Sequence, residues 1–249
     1  MPGPELSILL PALAAGLLVL VTHVPLGRMV LARGIVFIDL AIAQVAGLGV
    51  VAATAAGLEP GGWAVQAAAL GAALLGAAVL AWSERRMGAR QEAVIGVLFV
   101  TAASAEIILL ALSPHGDEHL KELLVGQILW TGPEQLAALA LVTVPLAAAI
   151  RWGRLGGRPL LFHAVFAAAV TASVQVVGVF LVFASLIVPA LAARSARGGM
   201  AVGAAGYGLG LAASLAWDLP TGAAAVCALA LAGAAWGAVF SARRSGGTP

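Results

Sequence analysis

Val176-Val-Gly-Val-Phe-Leu-Val-Phe-Ala-Ser-Leu-Ile-Val-Pro-Ala-Leu-Ala-Ala-Arg194 runs without a charge until the arginine that closes it. A second uncharged run, Leu160–Val177, leads into it apart from His163, so residues 160–193 read as two short helices broken near Gly178. No polar face is left that water could cover. The solvent for this part of the chain is lipid, and there only helices or closed barrels satisfy the backbone.

The same texture extends in both directions. Spans are expected at about Leu6–Val24, Met29–Gly57, Gly62–Trp82, Ala93–Leu112, Leu136–Ile150, Leu160–Val177, Val179–Ala192, Ala201–Trp217 and Thr221–Phe240. About 20 apolar residues in a helix cross a hydrocarbon core of roughly 30 Å. The reading is all-α: one polytopic transmembrane helical bundle over residues 1–249, with eight to nine membrane helices. Nine crossings follow if residues 160–193 cross twice, and eight if the two short runs form one tilted helix. Composition agrees, since 10% charged residues and a mean hydropathy of +1.05 contrast with roughly 25% charged residues in soluble domains. The first 24 residues carry Glu5 and no basic residue before their apolar run, which favours an uncleaved helix over a signal peptide.

Loop charges set an orientation. Arg28 and Arg33, then Arg85, Arg86 and Arg90, Arg151, Arg154 and Arg158, Arg194 and Arg197, and Arg243 with Arg244 mark cytoplasmic loops. Glu59, Asp117 with Glu118, and Asp218 fall in the loops between, with the amino terminus outside. The net charge of +2 therefore reads as membrane orientation and not as a nucleic-acid surface. Glu118–Trp130 has apolar residues at helical spacing and reads as an amphipathic helix on the outer interface, anchored by Trp130.

Lys121 is the only lysine, so no phosphate-binding loop ending Gly-Lys-Ser/Thr exists, and no hydrolase or paired-cysteine motif is present. Cys227 stands alone, so no intrachain disulfide forms. No enzyme activity and no cofactor are expected. The chemistry to look for is carried by ionisable groups inside the spans, which are costly in hydrocarbon. Asp39 lies eleven residues beyond Arg28, about 16 Å along a continuous helix and near the bilayer centre. Glu106 lies six residues before Leu112, about 9 Å from the outer edge. Each is read as lining a cation path or as a hydrogen-bonded structural carboxylate. Gln44, Gln127 and Gln175 read as interhelical hydrogen-bond donors, and His23 and His163 as interfacial. In the outer loop, His115, Asp117 and His119 bring ligand types suited to zinc or manganese within five residues, read as a transient metal contact or as a simply solvated loop without closed-site spacing.

Three stretches resemble the permease subunits of ABC-type zinc, manganese and iron importers. They are Arg33-Gly-Ile-Val-Phe-Ile-Asp-Leu-Ala-Ile-Ala-Gln-Val-Ala-Gly47, the run Val176–Arg194 quoted above, and Asp218-Leu-Pro-Thr-Gly222. Glu92–Leu112 and Leu123–Glu134 look like the matching intermediate segments. The resemblance implies a permease without its own nucleotide site, in a bacterial inner membrane. It implies a homodimer with a second permease copy, a dimer of separate ATP-binding subunits, and an extracytoplasmic solute-binding protein. It also implies that Arg194–Met200 contacts the ATPase, with Arg194 and Arg197 as docking residues. Such permeases usually have Gly-Asp-x-x-Ser-His, whereas here Ile38 precedes Asp39 and Ala43 stands where histidine would be. Gln44, five residues on from Asp39, is about 140° round a helix and cannot take that place. A permease for a metal chelate, a proton-coupled secondary transporter using Asp39 and Glu106, and a structural membrane protein are the other readings these residues allow.

Overall fold

The computed structural model describes residues 4–87, 91–111, 128–153 and 155–245. Among them the chain forms nine α-helices and two single 3-10 turns, and no strand. The helices are α1 (Pro4–Arg33), α2 (Ile38–Ala55), α3 (Trp63–Met87), α4 (Gln91–Ala111) and α5 (Pro133–Trp152). They continue with α6 (Pro159–Val177), α7 (Val179–Ala192), α8 (Ala196–Trp217) and α9 (Thr221–Ser245). Eight are long and apolar enough to cross a membrane, and α7 is the short exception at 14 residues.

The first helix corrects one boundary. A break was expected between Val24 and Met29, but α1 runs unbroken through Pro25 for 30 residues. Proline removes one backbone donor, and in a packed membrane bundle neighbouring groups make that tolerable. The stop comes at Gly34, whose φ of +69° is open to glycine at no steric cost. The Gly34 N–H donates to Leu31 O and the Ile35 N–H to Val30 O, both at 3.3 Å, with Ile35 and Val30 buried together. That is the Schellman termination, with its apolar contact. Met29–Gly57 is therefore not one helix, and Asp39 belongs to the first turn of α2.

Contacts between helix ends show how the bundle is threaded. Arg33 at the end of α1 reaches Glu84 at the end of α3 and the Leu155 carbonyl just before α6. Arg28 donates to the Ala193 carbonyl at the end of α7 (3.3 Å), and the Phe37 N–H faces Glu92 at the start of α4. The segments carrying Arg28, Arg33, Arg85, Arg86, Arg158, Arg194 and Arg197 thus gather at one end of the bundle. α6 leaves that end and α7 returns to it, so residues 159–192 reverse direction and are not one tilted helix. Gly178 makes the reversal with φ 80° and ψ 162°, a conformation essentially confined to glycine.

Tryptophans mark two levels. Trp63, Trp130 and Trp217 are exposed at the end away from the arginines, and Trp82 and Trp152 at the arginine end. Such belts sit where hydrocarbon meets headgroups. The outward surface between them is apolar, with Leu75, Val97, Val144, Leu209 and Leu231 exposed. The chain is a multi-pass membrane protein.

Small residues let the helices close up. Gly203 and Gly199 of α8 sit directly against Leu20 and Val24 of α1, and Gly27 lies on the Leu186 carbonyl of α7. Association in lipid relies on this close packing. Tyr207, over Gly16, donates to Ser185 Oγ at 2.8 Å, and the Ser185 hydroxyl donates in turn to the Leu181 carbonyl at 2.6 Å.

Candidate functional site

α2 is the helix on which the carboxylates converge, packed among α3, α4 and α6. Asp39, in its first turn, is 1% exposed, and both carboxylate oxygens are buried without a hydrogen bond among the described residues. The backbone N–H groups of Asp39 and Leu40 lie on the same side but fall short of good geometry. The positive end of the helix dipole gives some compensation. It does not replace a partner, and a buried unpaired charge is among the most costly features a fold can hold.

Glu106 of α4 is also buried, with its Oε1 against the backbone of α2 at Gly47. Gly47 follows Asp39 by eight residues, about 12 Å along the helix axis. Two carboxylates therefore flank one stretch of α2, one belonging to the helix and one facing it from α4. Ala43 lies one turn from Asp39 between these levels and is buried. Its methyl group leaves that position without a ligand atom. Among the described residues no three His, Cys, Asp or Glu side chains gather as a metal-binding set. The arrangement is two separate carboxylates along α2 and not a cage.

The histidines differ from expectation. His23 is not interfacial: it lies within α1, fully buried, with Nδ1 2.9 Å from the Val19 carbonyl. Because that carbonyl only accepts, Nδ1 carries the proton. His163 is buried in the second turn of α6 with Nδ1 on the Pro159 carbonyl at 2.8 Å. It belongs to a polar cluster the sequence reading passed over. Arg33 Nη1 lies 2.9 Å from Glu84 Oε1, and His163 Nδ1 is 3.6 Å from Glu84 Oε2. The only advance signal was a lone glutamate, Glu84, beside Arg85 and Arg86.

Arg194 is exposed in the turn between α7 and α8 and Arg197 in the first turn of α8, where Ser195 caps the helix by accepting the Gly198 N–H at 3.1 Å. Gln44 and Gln175 are half-buried within α2 and α6. His115, Asp117, His119, Gln127 and the expected helix Glu118–Trp130 up to Gln127 lie outside the described residues. The end of that segment, Ile128–Trp130, is a 3-10 turn with Ile128 buried and Trp130 exposed.

The sequence model of the ABC 3 transport family matches residues 5–154 and 158–236. No curated protein sequence matches the chain. Among solved structures the chain is similar to one described as PsaBC from Streptococcus pneumoniae in complex with Fab. The TM-score is 0.70 at 20% identity, covering 92% of this chain and 90% of that one. At that identity the likeness is one of fold.

Proposed function

We propose that this chain, which belongs to the ABC 3 transport family, is the permease subunit of an importer that moves a divalent metal ion into the cytoplasm. Zinc is the first candidate and manganese the second. The observation that carries the reading is Asp39, an enclosed carboxylate with neither oxygen hydrogen-bonded among the described residues. A passing divalent cation supplies the missing partner intermittently. Glu106 gives a second acidic contact about 12 Å further along α2.

ATP hydrolysis belongs to a separate pair of ATP-binding subunits, docked at the turn that carries Arg194 and leads into Arg197 of α8. That turn is exposed and lies at the arginine-rich end, the end expected in the cytoplasm. A second copy of the chain completes the membrane domain. A solute-binding protein delivers metal at the opposite end, where His115, Asp117 and His119 receive it. The setting is a bacterial inner membrane.

A permease for a metal chelate is the second reading, favoured by Ala43 and by the lack of a three-ligand set among the described residues. The test is ATP-driven uptake of radioactive zinc and manganese by vesicles holding the complete transporter. Accumulation of either free ion, abolished without ATP, is the expected result. No uptake of free ion, with uptake of a chelated form, overturns the free-cation reading.

A further inference from the structure

Three elements far apart in sequence are fastened together at the arginine-rich end by one charged cluster. Arg33 ends α1, Glu84 lies in the last turn of α3, and Leu155, Phe162 and His163 surround the start of α6. Arg33 is the hub. One guanidinium nitrogen meets Glu84 at 2.9 Å, another donates to the Leu155 carbonyl at 3.2 Å, and its plane lies 3.9 Å above the Phe162 ring. The two charged side chains are only 17% and 26% exposed. This differs from a surface ion pair, whose net worth is small.

The cluster is incompletely satisfied. Glu84 Oε2 is buried without a hydrogen bond among the described residues. His163 Nδ1, its near neighbour at 3.6 Å, is committed to the Pro159 carbonyl, and His163 Nε2 is buried without a partner. Separating Arg33 from Glu84 while both stay dry leaves two uncompensated charges, the worst arrangement available. Two arrangements remain favourable: the closed pair, or both groups in water. A second, uncharged-to-charged contact lies nearby. The Phe37 N–H faces Glu92 Oε1 at 3.4 Å, and the Phe37 ring stacks on Phe183 of α7 at 6.1 Å.

We infer that Arg33, Glu84, Phe162 and His163 form a two-state latch that closes the arginine-rich end of the bundle and opens by admitting water between α1, α3 and α6. The inference goes beyond the transport reading, because it concerns how the bundle opens and not what it carries. Its readout needs no metal.

The test measures how fast a buried cysteine reacts with a membrane-impermeant maleimide in the full chain reconstituted in lipid nanodiscs. Cys227 is first replaced by serine. Leu155→Cys reports on the latch, because Leu155 is fully buried beside Arg33. Val202→Cys, buried in α8 away from the cluster, serves as the control. Glu84→Gln and Arg33→Gln are expected to speed labelling at Leu155→Cys by about fivefold or more, since a largely buried pair exceeds the worth of a surface pair. Labelling at Val202→Cys stays as in the parent. Arg33→Lys keeps the charge but loses the planar fork that reaches Glu84, the Leu155 carbonyl and Phe162 together, so its rate falls between those of the parent and Arg33→Gln. Unchanged labelling in both Gln variants overturns the latch, as does Arg33→Lys reacting as fast as Arg33→Gln. Faster labelling at both positions overturns it too, because the pair then holds the whole fold. If Glu84→Gln does not fold, the comparison of Arg33→Gln with Arg33→Lys gives the same decision.

Discussion

The carboxylate of Glu106 rests on the backbone of α2 at Gly47, where a β-carbon would come within 2.8 Å of its Oε1. Gly47→Ala is therefore a way to move a carboxylate without removing it. Uptake by the complete transporter is expected to fall several-fold, on the order of 1 kcal/mol in a barrier. Glu106→Gln should produce a loss of similar size, and the double variant should be no worse than either single one, because contacting residues are not additive. Additive losses in radioactive uptake would separate Gly47 from the path.

Asp39→Asn keeps the size of the side chain and removes its charge. The expected outcome is a folded, complex-forming protein with zinc uptake reduced at least about tenfold, roughly 1.4 kcal/mol in a barrier. Normal uptake would take Asp39 out of the path and favour the chelate.

Ala43→His restores an imidazole one turn from Asp39. Metal retention by the purified chain, read by equilibrium dialysis, should rise, since Asp and His together make half of a zinc site. Transport should slow as release becomes limiting. Unchanged retention would mean that positions 39 and 43 do not share a path.

Replacing Arg194 and Arg197 together by Glu should abolish substrate-stimulated ATP hydrolysis in the assembled complex. Insertion should survive, because both side chains are exposed at the arginine-rich end of the bundle. Full ATPase stimulation would move the docking surface elsewhere.

Gly178→Ala places a β-carbon at φ 80°, ψ 162°, at a cost of about 1–3 kcal/mol. A lower melting temperature in detergent is the expected reading. Gly71→Ala, on the open face of α3 with no atom within 4 Å of the new carbon, should be neutral or slightly stabilising. Equal effects at the two sites would remove the argument from backbone conformation.

Hydropathy alone located the helices, because each span must be apolar over its own length and that property is local. The end of α1 was misplaced because Arg28, read as a loop charge, interrupts the apolar run before the helix stops. Gly34 acts through a backbone angle and two carbonyls that only the folded helix presents. Asp39 stood out as a charge in an apolar run, while its place in a helix's first turn depended on that missed stop. His23 was read as interfacial on the assumption of a shorter first helix. Glu84 and His163 are ordinary residues near span ends, and what brings them to Arg33 is packing between helices 51 or more residues apart in the chain. Non-local pairs of that kind leave no periodicity to read.

The short return helix α7 bears on how the protein is made. Fourteen residues span about 21 Å, less than a ~30 Å core, and Gly178 at the reversal is buried. Lipid cannot hydrogen-bond the backbone freed at that reversal. The α6–α7 hairpin is therefore a poor independent insertion unit during biogenesis. It has to be shielded by α1 and α2, already in the membrane, and then sealed by α8 and α9 as they emerge. Nascent chains ending near Arg194 should consequently be quality-control substrates, whereas chains ending after α9 should persist.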